Sequence, residues 1–446
     1  MNDNELDIAK LLDDATMGAF QYGVIALCFA LVMIDGFDTQ AIAFVAPALR
    51  EAWTIAPNTF GLLFSAGLVG SMLGAMALGM LGDRIGRRPL IIASTLLFSV
   101  MSLLSATATG VETLAVYRFI AGLGLGGLLP NAIALVAEFA PRRVRSTAVV
   151  STFIGFPLGA VLGGMASARI VPAYGWETVF VAGGLLPLIV LVIVWFKLPE
   201  SLRFLVRNRV GKQRVLDVLA RLRPDLRLSG VDAIRGPELR PSGPPVQQLF
   251  IDGRGAWTLW LWLLAFSSLL LTYFLVHWIP LVLVDAGVAQ GKAIMGVALL
   301  NLGGIVGSLV IGRISDRRGP YLAMGLPLAF AIVFVAVIGL SIEAGAAVVL
   351  SVIFFAGVTF VGMQLNISAL AATNYPAVIR SAGTGWSIAA GRVGSIVGPL
   401  VGGALVAVEI GIDRLFLIAA VPAAVALFAI VAMARIKARS PVGPAA

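Results

Sequence analysis

Four ionisable residues lie inside long apolar runs of this chain: Asp35, Asp38, Arg118 and Arg392. An ionised side chain in hydrocarbon costs about 2.5–3.5 kcal/mol or more, so residues of this kind persist where they pair or work. Asp35 and Asp38 are three residues apart, which sets them about 60° apart on one helical face. At about 1.5 Å per residue, Asp38 falls roughly 15 Å inside the outer end of the first run. Arg118 falls roughly 9 Å below the outer end of the fourth, and Arg392 roughly 18 Å above the inner end of the eleventh. Two carboxylates and two guanidiniums at similar depth admit two readings, a static buried ion network or a proton-coupled anion site. A carboxylate beside a guanidinium keeps its proton off, and parted from it in a dry cavity it takes one up. A carboxylate alternating between these conditions carries protons across a membrane. An Arg stays charged throughout and can grip a substrate carboxylate with two parallel hydrogen bonds.

Other polar groups in the runs extend this set. The amides Asn131, Asn301, Gln364 and Asn366 either bind substrate hydroxyls or bridge helices. Phe37, Phe44, Tyr273 and Trp386 are aromatic candidates to line a substrate site. Glu138, at the inner end of the fourth run with Arg142 and Arg145 following, is expected to form an inner-gate salt bridge. The chain's single histidine, His277, falls near an outer helix end beside Tyr273 and Trp278, where an ordinary hydrogen-bonding role is expected ahead of a proton relay. With one histidine and one cysteine, Cys28, few catalytic combinations exist and no disulfide framework forms within the chain. The sequence holds no phosphate-binding G-x4-G-K-[ST] loop, metal-spaced histidine pair or nucleophile elbow. No enzyme activity, metal or cofactor is expected; a proton is the coupling ion.

The elements that must position these groups are helices in lipid. Only 12% of the 446 residues are charged and 59% are hydrophobic, with a mean hydropathy of +0.98. A soluble chain of this length could not cover itself with so little polar surface. A hydrocarbon core about 30 Å thick needs roughly 20 apolar residues per helix. Twelve such runs occur, near 19–48, 58–81, 89–109, 112–137, 147–169, 177–197, 256–284, 292–312, 321–342, 345–371, 381–406 and 412–434. No alternating ten-residue pattern suggests an outer-membrane barrel. The predicted fold is an all-α membrane protein of two pseudo-symmetric six-helix halves: residues 1–197, a cytoplasmic linker over 198–254, and residues 255–446.

The net charge of +9 follows topology. Of 32 Lys and Arg, 26 fall outside the runs on the side of residue 1, among them Arg84, Arg87, Arg88, Arg142, Arg143, Arg145 and eleven between Arg203 and Arg254. Only Arg50, Arg169, Lys292 and Arg414 fall on the other side. This positive-inside bias puts both termini and the linker in the cytoplasm of a cell (inner) membrane, and argues against nucleic acid as a partner. The acidic N-terminus reads as a short amphipathic cytoplasmic lead. The linker carries an amphipathic run (Val215, Val218, Leu219, Leu222), read as a helix lying against the bundle, and then the turn-rich tract 240–245.

A repeat orders the halves. Gly70, Gly79, Asp83, Arg84 and Gly86 recur 233 positions on as Gly303, Gly312, Asp316, Arg317 and Gly319, both reading G-x8-G-x3-D-R-x-G. Asn131, Pro141, Arg145 and Ser146 recur at an offset of 235 as Asn366, Pro376, Arg380 and Ser381. Gly155, Gly159, Gly163 and Gly164 recur at 239 as Gly394, Gly398, Gly402 and Gly403. Glycines four apart let helix backbones approach closely in lipid. Two helical halves with one hinge each suit a rocking transporter.

On these residues the chain resembles the major facilitator superfamily along all twelve runs. The stretch from Gly79 through Asp83, Arg84, Gly86, Arg87 and Arg88 is a complete and specific match, shortened in its second copy. Arg118, Gly122 and Gly124 resemble the family's fourth-helix signature. Pro199, Glu200, Ser201 and Arg203 resemble the loop after the sixth helix in the sugar and organic-ion branches. Within the superfamily the chain is most similar to the aromatic acid:proton symporters, including 4-hydroxybenzoate/protocatechuate transporters. Asp35, Gly36, Phe37, Asp38, Thr39 and Gln40, the glycine-rich stretch from Gly122 to Asn131, and Gly391, Arg392 and Gly394 carry that match. The resemblance implies import of an aromatic carboxylate with a proton, with Asp35 and Asp38 serving coupling and Asp38 pairing with Arg118. It further implies a gate of Asp83 and Arg84 acting against the eleventh helix, to which Arg88, Glu138, Arg145, Asp316 and Arg317 are added here. No residue singles out the cargo: a sugar acid, a dicarboxylate or a drug moved by antiport stays open, with a non-transporting receptor as a remote alternative. One chain supplies both halves, so a monomer is expected to suffice.

Overall fold

The computed structural model describes residues 5–7, 11–12, 16–208, 212–222, 233–235, 246–376 and 379–439. Twelve helices among them are long and apolar enough to cross a membrane. They are α1 Ala19–Trp53, α2 Pro57–Ile85, α3 Arg87–Ser105, α4 Val111–Phe139, α5 Arg145–Tyr174, α6 Glu177–Lys197, α7 Gly255–Asp285, α8 Gln290–Arg318, α9 Pro320–Ser341, α10 Ala346–Asn374, α11 Arg380–Ala407 and α12 Ile412–Ala438. The turn-rich tract 240–245 and most of the N-terminal lead lie outside the described residues. Among the described residues, strand is confined to Glu5–Asp7 paired parallel with Ala233–Arg235.

Several helices run past their predicted ends, because helical hydrogen bonding continues beyond hydrocarbon wherever a cap is available. α1 reaches Trp53 and stops at Thr54, whose left-handed backbone (φ 51°) turns its N–H back to the Arg50 carbonyl. α2 reaches Ile85, so Asp83 and Arg84 form its last turn rather than a loop. The hinge is thereby reduced to Gly86 (φ +109°), and its repeat to Gly319 (φ +84°); each ends one helix and begins the next. α10, expected as one continuous helix, contains a π-helical turn over Gly357–Val361 and a second interruption at Leu365 and Asn366. Such bulges break the regular ladder and free backbone groups.

The repeat read from sequence recurs as packing. A side chain on Gly70 of α2 would overlap the carbonyl oxygen of Phe119 on α4, and one on Gly303 of α8 would overlap that of Phe354 on α10. The four positions are related by offsets of 233 and 235, so the same backbone contact is built twice. The linker adds two short helices, Leu202–Arg207 and Lys212–Leu222. Val215, Leu219 and Leu222 are buried with Leu198, Leu202 and Leu205 against the first half, as the amphipathic spacing required.

The helix ends bearing Arg84, Arg87, Arg88, Arg145 and Arg317 form one face, the basic face; Arg50 and Asp285 mark the opposite, far face. Among the described residues, the hydrogen bonds and ion pairs between the halves lie from mid-depth toward the far face. Arg50 pairs with Asp285. Gln40 and Asn301 exchange reciprocal amide hydrogen bonds at 3.2 and 2.9 Å. Ser65 donates to the Ile396 carbonyl at 2.8 Å. The halves are therefore closed at the far face.

Candidate functional site

Asp38 is fully buried, and four hydrogen bonds account for it. Arg118 donates through Nη2 to the carboxylate at 2.9 Å and to the Asp38 backbone carbonyl at 2.8 Å, and through Nη1 at 3.3 Å. Ser102 of α3 donates to the same carboxylate at 2.6 Å. The guanidinium carbon also lies 5.4 Å from the centre of the Phe180 ring, a cation–π contact from α6. Four helices of one half thus converge on one charge pair, and α6 comes close enough only because residue 183 is glycine. A methyl group there would lie 2.9 Å from the Ser102 hydroxyl and 3.0 Å from the Asp38 carboxylate.

Asp35 is buried one turn toward the basic face and accepts a hydrogen bond from Thr39 at 3.1 Å. Among the described residues it has no ion pair. Arg392 crosses to the other half, donating to the Ser71 hydroxyl of α2 at 3.0 Å, and it too lacks a carboxylate within ion-pair distance. Arg392, Asp35 and Tyr273 lie within one another's electrostatic reach. The structure therefore sorts the four charged residues into a closed pair, Asp38 with Arg118, and an open group at the seam between the halves. That group comprises Asp35, Thr39, Ser71, Tyr273 and Arg392.

The remaining predicted residues divide. Asn131 donates to the Leu78 and Gly127 carbonyls, tying α4 to α2; Asn366 donates to the Ser308 and Gly362 carbonyls, tying α10 to α8. Both are helix bridges, and they occupy equivalent repeat positions. Asn301 spends its amide on Gln40 and on its own helix. Gln364 follows the π turn of α10, half-buried, with no hydrogen-bond partner among the described residues. Phe44 is fully buried on α1 beside Gly164 of α5, where Ala298 of the opposite half also packs, and Phe37 packs on Gly163. Trp386 lies about 9 Å along α11 from Arg392 and stacks on Trp262, nearer the basic face.

At the basic face, polar groups of the first half bind one another and the linker. Glu138 pairs with Arg87 at 2.8 Å and accepts from Ser201, rather than pairing with Arg142, which is exposed with Arg143 in the turn after α4. The chain becomes extended at Ala140 and leads those arginines away; Arg145 donates to the Ala140 carbonyl. Glu200 accepts from the backbone N–H groups of Arg87 and Arg88 at the start of α3, satisfying orphan donors of that helix, and from its neighbour Ser201. Arg207 donates to the Asp83 carbonyl, Arg87 reaches the Asp83 carboxylate at 3.5 Å, and Arg88 donates to the Trp195 carbonyl. Arg84, Asp316 and Arg317 are exposed.

Sequence reasoning missed Ser102, Phe180, Gly183, Gln40 and Ser71. One signal was available: Thr95, Ser99, Ser102 and Ser105 recur at helical spacing along α3, a hydroxyl stripe inside an apolar run. The others depend on which helices become neighbours.

Comparison with known proteins agrees with this architecture. The family model of the Major Facilitator Superfamily matches residues 28–377. A gallate transporter of Pseudomonas putida is 36% identical over 96% of this chain and 95% of its own. The 4-hydroxybenzoate transporter PcaK of Pseudomonas aeruginosa is 35% identical, covering 95% of each chain. Among solved structures, a bacterial homologue of the human lysosomal transporter Spinster superposes with a TM-score of 0.75 at 16% identity, over 96% of this chain and all of that one. With the twelve helices, the repeated hinge and full-length relatives in agreement, the chain belongs to the major facilitator superfamily of multi-pass membrane transporters.

Proposed function

We propose that this protein is a proton-coupled importer of an aromatic carboxylate, acting by alternating access in a cell membrane with its basic face and both termini in the cytoplasm. The observation that carries this reading is the sorting of charges at mid-depth. One carboxylate is sealed onto Arg118, while a second guanidinium, Arg392, stands beside Tyr273 without a carboxylate of its own. Full-length similarity to a gallate and a 4-hydroxybenzoate transporter supports the cargo class.

With the far face outside, the closed far seam makes this the inward-facing state. The cycle reads from it as follows. When the halves part outward, Asp38 takes a proton and loosens from Arg118, and the substrate carboxylate meets Arg392. The halves then rock about the site. The proton leaves toward the less acidic cytoplasm, and Asp38 returns to Arg118 and Ser102. Asp35, which no cation pairs with here, is the second coupling candidate. A membrane potential contributes about 2.3 kcal/mol per net charge per 100 mV, in addition to the pH difference. One subunit contains every group this cycle uses, so it works as a monomer.

The test is uptake of radiolabelled 4-hydroxybenzoate into proteoliposomes with and without an inward proton gradient. Accumulation that collapses with an uncoupler is the expected result. No uptake in vesicles of verified, folded protein would remove this cargo, and a panel of sugar acids and dicarboxylates would follow.

A further inference from the structure

His277 is the chain's only histidine and is fully buried on α7, one helical turn from Tyr273 on the far-face side. Its Nδ1 lies 2.8 Å from the Tyr273 backbone carbonyl. A carbonyl oxygen only accepts, so Nδ1 carries the proton, and in the neutral imidazole Nε2 presents a lone pair. That Nε2 is buried and has no hydrogen-bond partner among the described residues. Because Nδ1 is tied back to its own helix, Nε2 points away from α7 into the seam between the halves. There the Phe64 ring of α2, from the opposite half, covers the imidazole with centroids 4.7 Å apart. A buried acceptor without a donor costs free energy, and packing alone would be served as well by phenylalanine. When the halves part at the far face, Phe64 is carried away with its half and Nε2 opens to the outside.

Resting on the function proposed above, we infer that His277 Nε2 accepts a hydrogen bond from a ring hydroxyl of the incoming substrate. It thereby selects hydroxylated aromatic acids over unsubstituted ones. The layout supports this. Arg392 lies within electrostatic reach of Tyr273, and the Tyr273 ring is stacked with His277 at 5.7 Å and 23°. A benzoic acid laid along Tyr273 with its carboxylate on Arg392 extends one helical turn, about 5.4 Å, toward the imidazole. A hydroxyl opposite the carboxylate then meets Nε2. A site built to bond a substrate hydroxyl penalises the analogue that lacks it, because its own acceptor stays unpaired.

The single histidine makes the test direct. Protein carrying 15N-histidine, purified without a polyhistidine tag, reports one imidazole. Addition of 4-hydroxybenzoate should shift the Nε2 resonance, whereas benzoate at matched occupancy should leave it in place. In proteoliposomes, His277→Phe should lower the preference for 4-hydroxybenzoate over benzoate by about tenfold. His277→Gln, which keeps an acceptor, should retain part of the preference. An Nε2 resonance that responds alike to both acids, or a preference unchanged in His277→Phe, overturns the inference while leaving the transport function intact. A wild-type protein that moves neither acid overturns both.

Discussion

Replacement of Asp38 by asparagine separates coupling from movement. The wild-type carboxylate is fully buried and receives two guanidinium hydrogen bonds, at 2.9 and 3.3 Å, and one from Ser102 at 2.6 Å. Asparagine keeps the shape and a carbonyl acceptor but removes the charge, leaving Arg118 buried and unpaired. Breaking a buried pair from one side costs about 3–5 kcal/mol, and each 1.4 kcal/mol is about tenfold. The closed arrangement is therefore disfavoured by about 150- to 4000-fold, and no carboxylate remains to take up a proton. One proton moving with one monovalent anion carries no net charge, so each pH unit across the membrane supports about tenfold accumulation in the wild type. In Asp38→Asn the internal concentration should stop at the external one whatever the gradient. Counterflow, in which unlabelled substrate inside exchanges for label outside, should persist. Both are measured in one proteoliposome preparation, normalised to monodisperse protein because the unpaired Arg118 also lowers thermal stability. Gradient-dependent accumulation at the wild-type ratio in Asp38→Asn would refute the assignment of coupling to this residue.

Three further substitutions probe the surrounding geometry. Gly183→Ala places a methyl group 2.9 Å from the Ser102 hydroxyl and 3.0 Å from the Asp38 carboxylate. Overpacking of this kind costs about 1–3 kcal/mol, so both the melting temperature and gradient-driven uptake should fall, and normal values in both would mean that the pair can be displaced freely. Arg392→Lys keeps the charge but loses the planar fork, so the half-saturation concentration for aromatic acid should rise by about tenfold, with the accumulation ratio per pH unit unchanged; an unaltered half-saturation would place the carboxylate elsewhere. Asp285→Asn removes a partly exposed ion pair, 29% and 39% accessible, that spans the halves at the far face. Such pairs are worth at most about 1 kcal/mol, so thiol labelling from outside of a cysteine placed at Ser65 should rise by no more than about fivefold; no rise would show that the seam is held by its buried contacts alone.

Much of the fold was legible because membrane helices are governed by one-dimensional quantities. Run length and hydropathy give twelve helices without any knowledge of neighbours. The pseudo-symmetry was legible too, since Gly70 and Gly303, or Asn131 and Asn366, occupy positions that a simple offset relates. The charged residues at mid-depth were legible for an energetic reason: a carboxylate or guanidinium in hydrocarbon needs a purpose, so Asp35, Asp38, Arg118 and Arg392 stand out from type and position alone.

The tertiary structure decided which of these groups meet, and that depends on helix rotation and on the order in which helices pack, neither of which leaves a mark on hydropathy. It set Arg118 onto Asp38 rather than Asp35, added Ser102 and Phe180 from helices with no charged signal, and left Arg392 to bridge to Ser71 in the opposite half. It gave Glu138 to Arg87 rather than to the arginines that follow it in sequence, because the backbone turns away at Ala140. It also spent Asn131 and Asn366 on backbone carbonyls, since an amide in lipid must find its partners within the protein and a helical carbonyl offers a second lone pair. The sequence by itself determined that buried charges exist and how deep they lie, because depth is counted along a single helix. Their pairing, and with it the division into a closed ion pair and an open guanidinium, was decided by contacts between residues 80 to more than 300 positions apart.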